Sequence, residues 1–161
     1  MNEAEANKIG SKLGLISSGI GLLIAYTFMT VVFAADQENQ DGLLWFLNSP
    51  IRLNIGIGAL LLLLSGFFYG RITAKAILIK KRNFVISGFL CGMAVLITTT
   101  FLTGWVGFFQ EGSNPMFPDD NPFVDFVVKP LWWVTIFGTI PALLVGIVFG
   151  AVVKSRGDKK Q

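Results

Sequence analysis

Residues 53–70 read LNIGIGALLLLLSGFFYG, eighteen positions without a charge, closed by Arg52 at one end and Arg71 at the other. At about 1.5 Å per residue this run reaches about 27 Å, close to the thickness of a hydrocarbon core. The two arginines can extend their apolar stems and place their guanidinium groups at the headgroups. The stretch therefore reads as a transmembrane helix. Three more uncharged runs of spanning length accompany it, giving spans over about 13–35, 52–71, 83–108 and 130–153. With 53% hydrophobic residues and only 14% charged, the 161-residue chain is far from soluble composition, and its charges fall in the gaps between the runs. The expected fold is an all-α, four-helix transmembrane bundle forming a single domain. The first run, with Val32-Phe33-Ala34 near its end, also has the outline of a secretory signal, but it is longer than the usual apolar core of one. It is read as an uncleaved helix.

The charges orient the bundle. Lys8 and Lys12 precede the first span. Arg71, Lys75, Lys80, Lys81 and Arg82 lie between the second and third, and Lys154, Arg156, Lys159 and Lys160 follow the fourth. Eleven of the thirteen basic residues therefore share one side, leaving Arg52 and Lys129 opposite. Asp36, Glu38, Asp41, Glu111, Asp119, Asp120 and Asp125 mark the other side, together with Trp45, Trp105, Trp132 and Trp133. By the positive-inside rule and the preference of tryptophan for the interface, the basic side is expected to be cytoplasmic. Both termini would then be inside a plasma membrane, expected to be bacterial. The basic residues flank spans instead of forming a stripe, so nucleic acid is not an expected partner.

Each outer connection follows one pattern: acidic residues, a short apolar segment (Leu43–Leu47; Phe123–Val128), then the proline that opens the next span (Pro50; Pro130). Ser49, and Asn121 with Pro122, have the chemistry of helix starts. The short segments are expected to be separate helices lying on the outer interface. A shift of 80 residues pairs Phe46 with Phe126, Pro50 with Pro130, Gly58 with Gly138, Gly66 with Gly146 and Gly70 with Gly150. A shift of 73 pairs Thr27-Phe28-Met29-Thr30 with Thr100-Phe101-Leu102-Thr103. These matches predict two tandem helical hairpins, about 10–80 and 83–157, related by an axis along the membrane normal.

Small residues sharpen the picture. Gly10/Gly14, Gly66/Gly70, Gly88/Gly92 and Gly146/Gly150 are glycine pairs at i, i+4, the spacing that lets membrane helices approach closely. All lie toward the basic side. In the other half lie Thr27, Thr30, Asn54, Thr99, Thr103, Thr135 and Thr139, interleaved with Phe and Trp. Their plain role is hydrogen bonding along or across helices, and their sharper role is to line a cavity opening outward.

Chemistry is harder to find. There is no histidine, Cys91 is the lone cysteine, and no motif with a nucleophile and a base appears. No metal site or cofactor is expected: the loop Pro115–Asn121 is rich in oxygen ligands but lacks the alternate spacing of a calcium loop. The spans themselves carry no carboxylate, which argues against a pump or proton-driven carrier. The expected function is non-enzymatic: an accessory or interaction subunit, or an immunity-type protein, partnered by the lipid bilayer and by another membrane protein or itself. The alternative is a small channel or facilitator for a neutral solute or ion, working as a homo-oligomer. That alternative needs a polar path through the full membrane, whereas the polar groups named above stop halfway.

Overall fold

The computed structural model describes residues 2–35, 52–111 and 121–159. Four helices fill them: α1 (Glu3–Ala35), α2 (Arg52–Leu78), α3 (Phe84–Glu111) and α4 (Lys129–Asp158). A π-helical turn, Val124–Val128, leads into α4 without a break. Among the described residues no strand occurs, and all four helices are long and apolar enough to cross a membrane. The chain is thus a multi-pass, all-α membrane protein. The segment Leu43–Leu47 and the start at Ser49-Pro50 lie outside the described residues.

Helix ends follow local chemistry. Asn2 caps α1, its Oδ1 accepting the Glu5 N–H at 2.8 Å while Glu5 Oε2 accepts the Asn2 N–H at 3.3 Å, a reciprocal capping box. Asn83 Oδ1 accepts the N–H of Val85 at 2.8 Å and caps α3. Between α2 and α3 the chain reverses within Ile79–Asn83. There Lys81 takes a left-handed conformation (φ 51°), and the Arg82 N–H reaches back to the Ala76 carbonyl at 3.0 Å. A left-handed residue just past the last turn is a common way to end a helix, and here the closing bond is wider than the usual one.

The helices overrun the spans expected from hydropathy alone. α1 begins ten residues earlier, at Glu3, and α2 continues to Leu78. The extra turns pack on one another at the basic end, where Ala6 and Ala74 are fully buried with Leu13, Ile77 and Leu78 around them. Glu3 and Lys75 form an ion pair across these turns. The buried core therefore sits at the basic end of the bundle, completed by Cys91, Phe149 and Val153 from α3 and α4.

At the acidic end one expectation is corrected. Asn121 Oδ1 accepts the Phe123 N–H at 3.0 Å, so the helix start is at Asn121-Pro122. The segment that follows, however, is not a separate interfacial helix. It runs straight through Pro130 into α4, so that the membrane-competent run is Val124–Asp158, 35 residues. Proline has no N–H to give, and the chain answers with the wider π turn, closed by the Lys129 N–H on the Val124 carbonyl. Asp125 is thereby carried into a continuous helix, and its side chain is only 12% exposed.

α1 packs chiefly on α2, α3 on α4, and α2 on α3, with lighter contact between α1 and α4. At the first two contacts the backbones nearly touch. A β-carbon on Gly70 would stand 2.5 Å from the Gly10 carbonyl oxygen and 2.9 Å from Gly14 Cα. By contrast Gly19, Gly21 and Gly56, farther toward the acidic end, would meet nothing within 4 Å. Gly70→Ala is therefore expected to destabilise by about 1–3 kcal/mol through overpacking. Gly56→Ala should be neutral or stabilising by up to about 1 kcal/mol, since it only relieves helical glycine entropy. Thermal unfolding of the two variants in detergent measures the contrast.

Candidate functional site

The eight glycines named from the sequence occupy two seams. Gly14 faces the Gly66 carbonyl, with its β-position 3.2 Å from Gly70 Cα; Gly88 faces the Gly146 carbonyl, 3.3 Å from Gly150 Cα. Gly66 meets Ser18, and Gly146 meets Gly92 at 3.5 Å; Gly70 meets Gly10, and Gly150 meets Phe84. The same contacts thus recur with α1 positions moved by 74 (10 to 84, 14 to 88, 18 to 92) and α2 positions moved by 80 (66 to 146, 70 to 150). The partner of Gly14 in this correspondence is Gly88, and Gly92 stands where Ser18 does.

The basic residues that set orientation lie at one end. Arg71 stacks on Phe67 at 5.5 Å and Lys154 on Phe84 at 4.9 Å, each keeping its charge beside an aromatic face. Lys80, Lys81 and Arg82 are exposed in the α2–α3 connection, and Arg156 is exposed in the last turns of α4.

The seven hydroxyl and amide groups of the other half are not gathered in one cavity. Thr27 is exposed and donates to its own Leu23 carbonyl at 2.8 Å, and Thr139 donates to the Thr135 carbonyl. Thr30 is half-buried and engaged elsewhere. Thr135 borders a shallow apolar groove of about 260 Å³ with Ile97, Val128, Leu131 and Trp132. Asn54 and Thr103 stand in the seam between α2 and α3. A β-carbon on Gly107 would lie 3.2 Å from Asn54 Nδ2, and one on Gly58 would lie 3.4 Å from Thr103 Oγ1. Asn54 and Gly58 are one turn apart on α2, as Thr103 and Gly107 are on α3, so the two polar groups sit on adjoining rungs. Thr99 follows one turn deeper on the same face of α3.

This seam carries polar groups farther than the sequence reading allowed. The Tyr69 hydroxyl and Thr98 Oγ1 are hydrogen-bonded at 2.9 Å. Deeper still, the Thr73 hydroxyl lies beside the Cys91 thiol, both residues buried. From Asn54 to Thr73 the α2–α3 seam is polar at successive levels, which corrects the expectation that polarity stops halfway. Tyr69 and Thr73 escaped the sequence reading because they stand among aromatic and glycine residues that account for themselves by packing. The available signal was their spacing of four on one face.

Several of these groups lack partners. Asn54 Oδ1, Thr99 Oγ1, Thr103 Oγ1 and Asp125 Oδ2 are each buried without a hydrogen bond. Other threonines nearby, such as Thr100 on the Leu96 carbonyl at 2.8 Å, satisfy themselves on their own helix. Asp125 forms an ion pair with Lys129 through Oδ1. The turn bearing it is seated on α3: Gly104 leaves room for the Phe126 carbonyl, which a β-carbon there would meet at 2.9 Å, and Gly107 for the Phe126 ring at 3.6 Å. An aromatic group tops the site, Trp105 lying 5.6 Å from each of Phe108, Phe109 and Phe123.

No family model, curated protein or solved structure matches this chain.

Removing either partner of the Tyr69–Thr98 bond should cost about 0.6 kcal/mol, the usual worth of such a bond in a membrane. In a double-mutant cycle of Tyr69→Phe and Thr98→Val, unfolding in detergent should show the second substitution adding little to the first.

Proposed function

We propose that this chain is a non-enzymatic membrane subunit that works by packing against another membrane protein, as an accessory component of a complex or as an immunity-type protein. The observation that carries this reading is the set of glycines without partners. Gly19, Gly21 and Gly56 meet nothing within 4 Å, while the glycines of the basic half are closed by backbone. The α1–α2 pairing of position 14 with 66 brings Gly21 and Gly56 to similar depth, and at either a partner helix would approach as closely as α1 approaches α2. On α1, Leu23 (65% exposed) and Phe28 (64% exposed) offer bulk to fit into a neighbour. A second copy of the chain is an equally suitable partner.

In this reading the bundle is two tandem hairpins of common design, N-in and C-in, in a bacterial plasma membrane. The recurring glycine contacts support the hairpins, and the basic end supports the orientation. A cysteine introduced as Lys81→Cys in a Cys91→Ala background should react with an impermeant maleimide only after the membrane is opened. One introduced as Glu38→Cys should react in intact cells, and the reverse pattern would invert the topology.

A photo-crosslinking residue at Gly56 or Gly21, activated in native membranes, should capture a discrete partner. Gly56→Leu should fold normally yet lose that product. Failure to capture anything, together with a monodisperse monomer in mild detergent, would defeat the proposal. One specific observation favours a second reading, a small channel or facilitator: the α2–α3 seam is polar from Asn54 to Thr73. Solute or ion flux through purified protein in liposomes, abolished by Thr98→Val with Tyr69→Phe, would replace the first reading with that one.

A further inference from the structure

The two glycine seams end differently at the basic end of the bundle. Gly10 sits on Gly70 as Phe84 sits on Gly150, and α2 and α4 then run on equally far, to Leu78 and Asp158. α1 continues past Gly10 to Glu3 and covers the end of α2. A β-carbon on Gly10 would meet Ala74 Cβ at 2.6 Å and Arg71 Cα at 2.9 Å, Ala74 is fully buried, and Lys75 pairs with Glu3. α3 instead begins at Phe84, so among the described residues no equivalent turns cover the end of α4. An open groove of about 440 Å³ takes their place, lined by Phe84, Ala151, Lys154, Ser155, Asp158 and Lys159. Moved by 80, Arg71, Ala74, Lys75 and Leu78 become Ala151, Lys154, Ser155 and Asp158, all four exposed. Where the first seam buries Ala74 and Leu78, the second carries charge into an uncovered groove.

Depth and charge identify what fits there. Lys154 is the first charge after the uncharged run that ends at Val153, and Phe84 opens the apolar run that follows Arg82 and Asn83. The groove therefore lies where hydrocarbon gives way to headgroups. Phe84 and Ala151 give it apolar wall, while Lys154, Ser155, Asp158 and Lys159 supply polar groups. The Lys154 ammonium stands 4.9 Å from the centre of the Phe84 ring, which ties it to the groove wall. Two ammonium groups and one carboxylate leave a single positive charge, which one phosphodiester balances. Lys80, Lys81 and Arg82, in the connection just before Phe84, add to a field that draws anions to this end. An apolar helix laid in the groove would instead bury these charges without partners, at high cost.

We propose that this groove binds one anionic phospholipid of the phosphatidylglycerol kind. Its phosphodiester lies on Lys154, Lys159 and the Ser155 hydroxyl, its headgroup hydroxyls donate to Asp158, and its glycerol backbone rests against Phe84 and Ala151. The site requires neither a partner protein nor flux, and stands or falls apart from both readings above. The test uses the full chain in detergent, unfolded thermally with added phosphatidylglycerol, phosphatidylcholine of the same acyl chains, or inorganic phosphate. Retained lipid is counted alongside by native mass spectrometry. Phosphatidylglycerol should raise Tm over phosphatidylcholine by about 5–10 °C at roughly a hundredfold excess over Kd, with one lipid retained. Inorganic phosphate should have no such effect. Lys154→Gln with Lys159→Gln, and separately Ala151→Trp, which fills the groove, should each remove the difference and the retained lipid. Lys81→Gln with Arg156→Gln takes the same charge from outside the groove and should leave both intact. Equal Tm in the two lipids would overturn the proposal, as would a difference that survives Lys154→Gln with Lys159→Gln. A difference lost equally in both double variants would mean diffuse attraction, and an equal shift with inorganic phosphate a free-anion site; either sinks it. So would a dimer that Ala151→Trp separates, since a second copy would then cover the groove.

Discussion

Contact between bare backbones at the basic end of the bundle organises the rest of the molecule. In lipid there is no gain from hiding leucine from water, so helices associate through close packing and hydrogen bonds. Glycine makes that packing possible by letting carbonyl and Cα of facing helices touch, as Gly10 and Gly14 do with Gly70 and Gly66, and Gly88 does with Gly146 and Gly150. Because these contacts all lie in one half, two helices that meet there must separate toward the other end as bulkier residues intervene. The separation leaves Gly19, Gly21 and Gly56 uncovered and leaves space in which Asn54, Thr99 and Thr103 can stand between helices. Tight basic end and looser acidic end are one constraint seen twice.

Such a scaffold bears on function by what it does not determine. The α1–α2 and α3–α4 seams are both glycine, yet the positions beside them differ, with Tyr69 and Thr73 on α2 where α4 has buried Phe149 and Val153. A fold that accepts Val153 and Phe149 at the equivalents of Thr73 and Tyr69 has no structural need of the hydroxyls. Their cost is offset where they find partners, as Tyr69 does with Thr98.

Much of the fold was legible in sequence because hydrophobic runs of spanning length have few other uses. The four long apolar runs and the Asn121-Pro122 start show in composition and spacing, whereas the α1–α3 correspondence does not: the sequence match suggests a shift of 73, and the glycine contacts recur at 74. What was not legible concerns continuity and depth. Hydropathy marks where charge stops, not where hydrogen bonding stops, so the turns Glu3–Lys12 and Thr73–Leu78 were missed although they form much of the core. Pro130 read as a beginning because proline tolerates the first turn; that a π turn can carry a helix through it depends on Gly104 accepting the displaced Phe126 carbonyl, a contact between distant residues. Of the candidate site, Asn54, Thr99 and Thr103 were visible as polar residues in an apolar half. Their separation from Thr27, Thr135 and Thr139 depends on helix rotation, and the weak amphipathicity of spans surrounded by lipid does not specify it.

The hydrogen bond between Tyr69 and Thr98 divides the α2–α3 seam. Outward of it lie the unpartnered oxygens of Asn54, Thr99 and Thr103; inward lie Thr73 and Cys91, buried on the same contact and flanked by the glycine seams. Parting α2 from α3 at this level would break that bond and disturb the backbone contacts that α2 makes with α1 and α3 makes with α4, against close packing that yields little. The seam is thus held at its middle and inner levels, while its outer level, where Gly19, Gly21 and Gly56 touch nothing, keeps polar groups without protein partners.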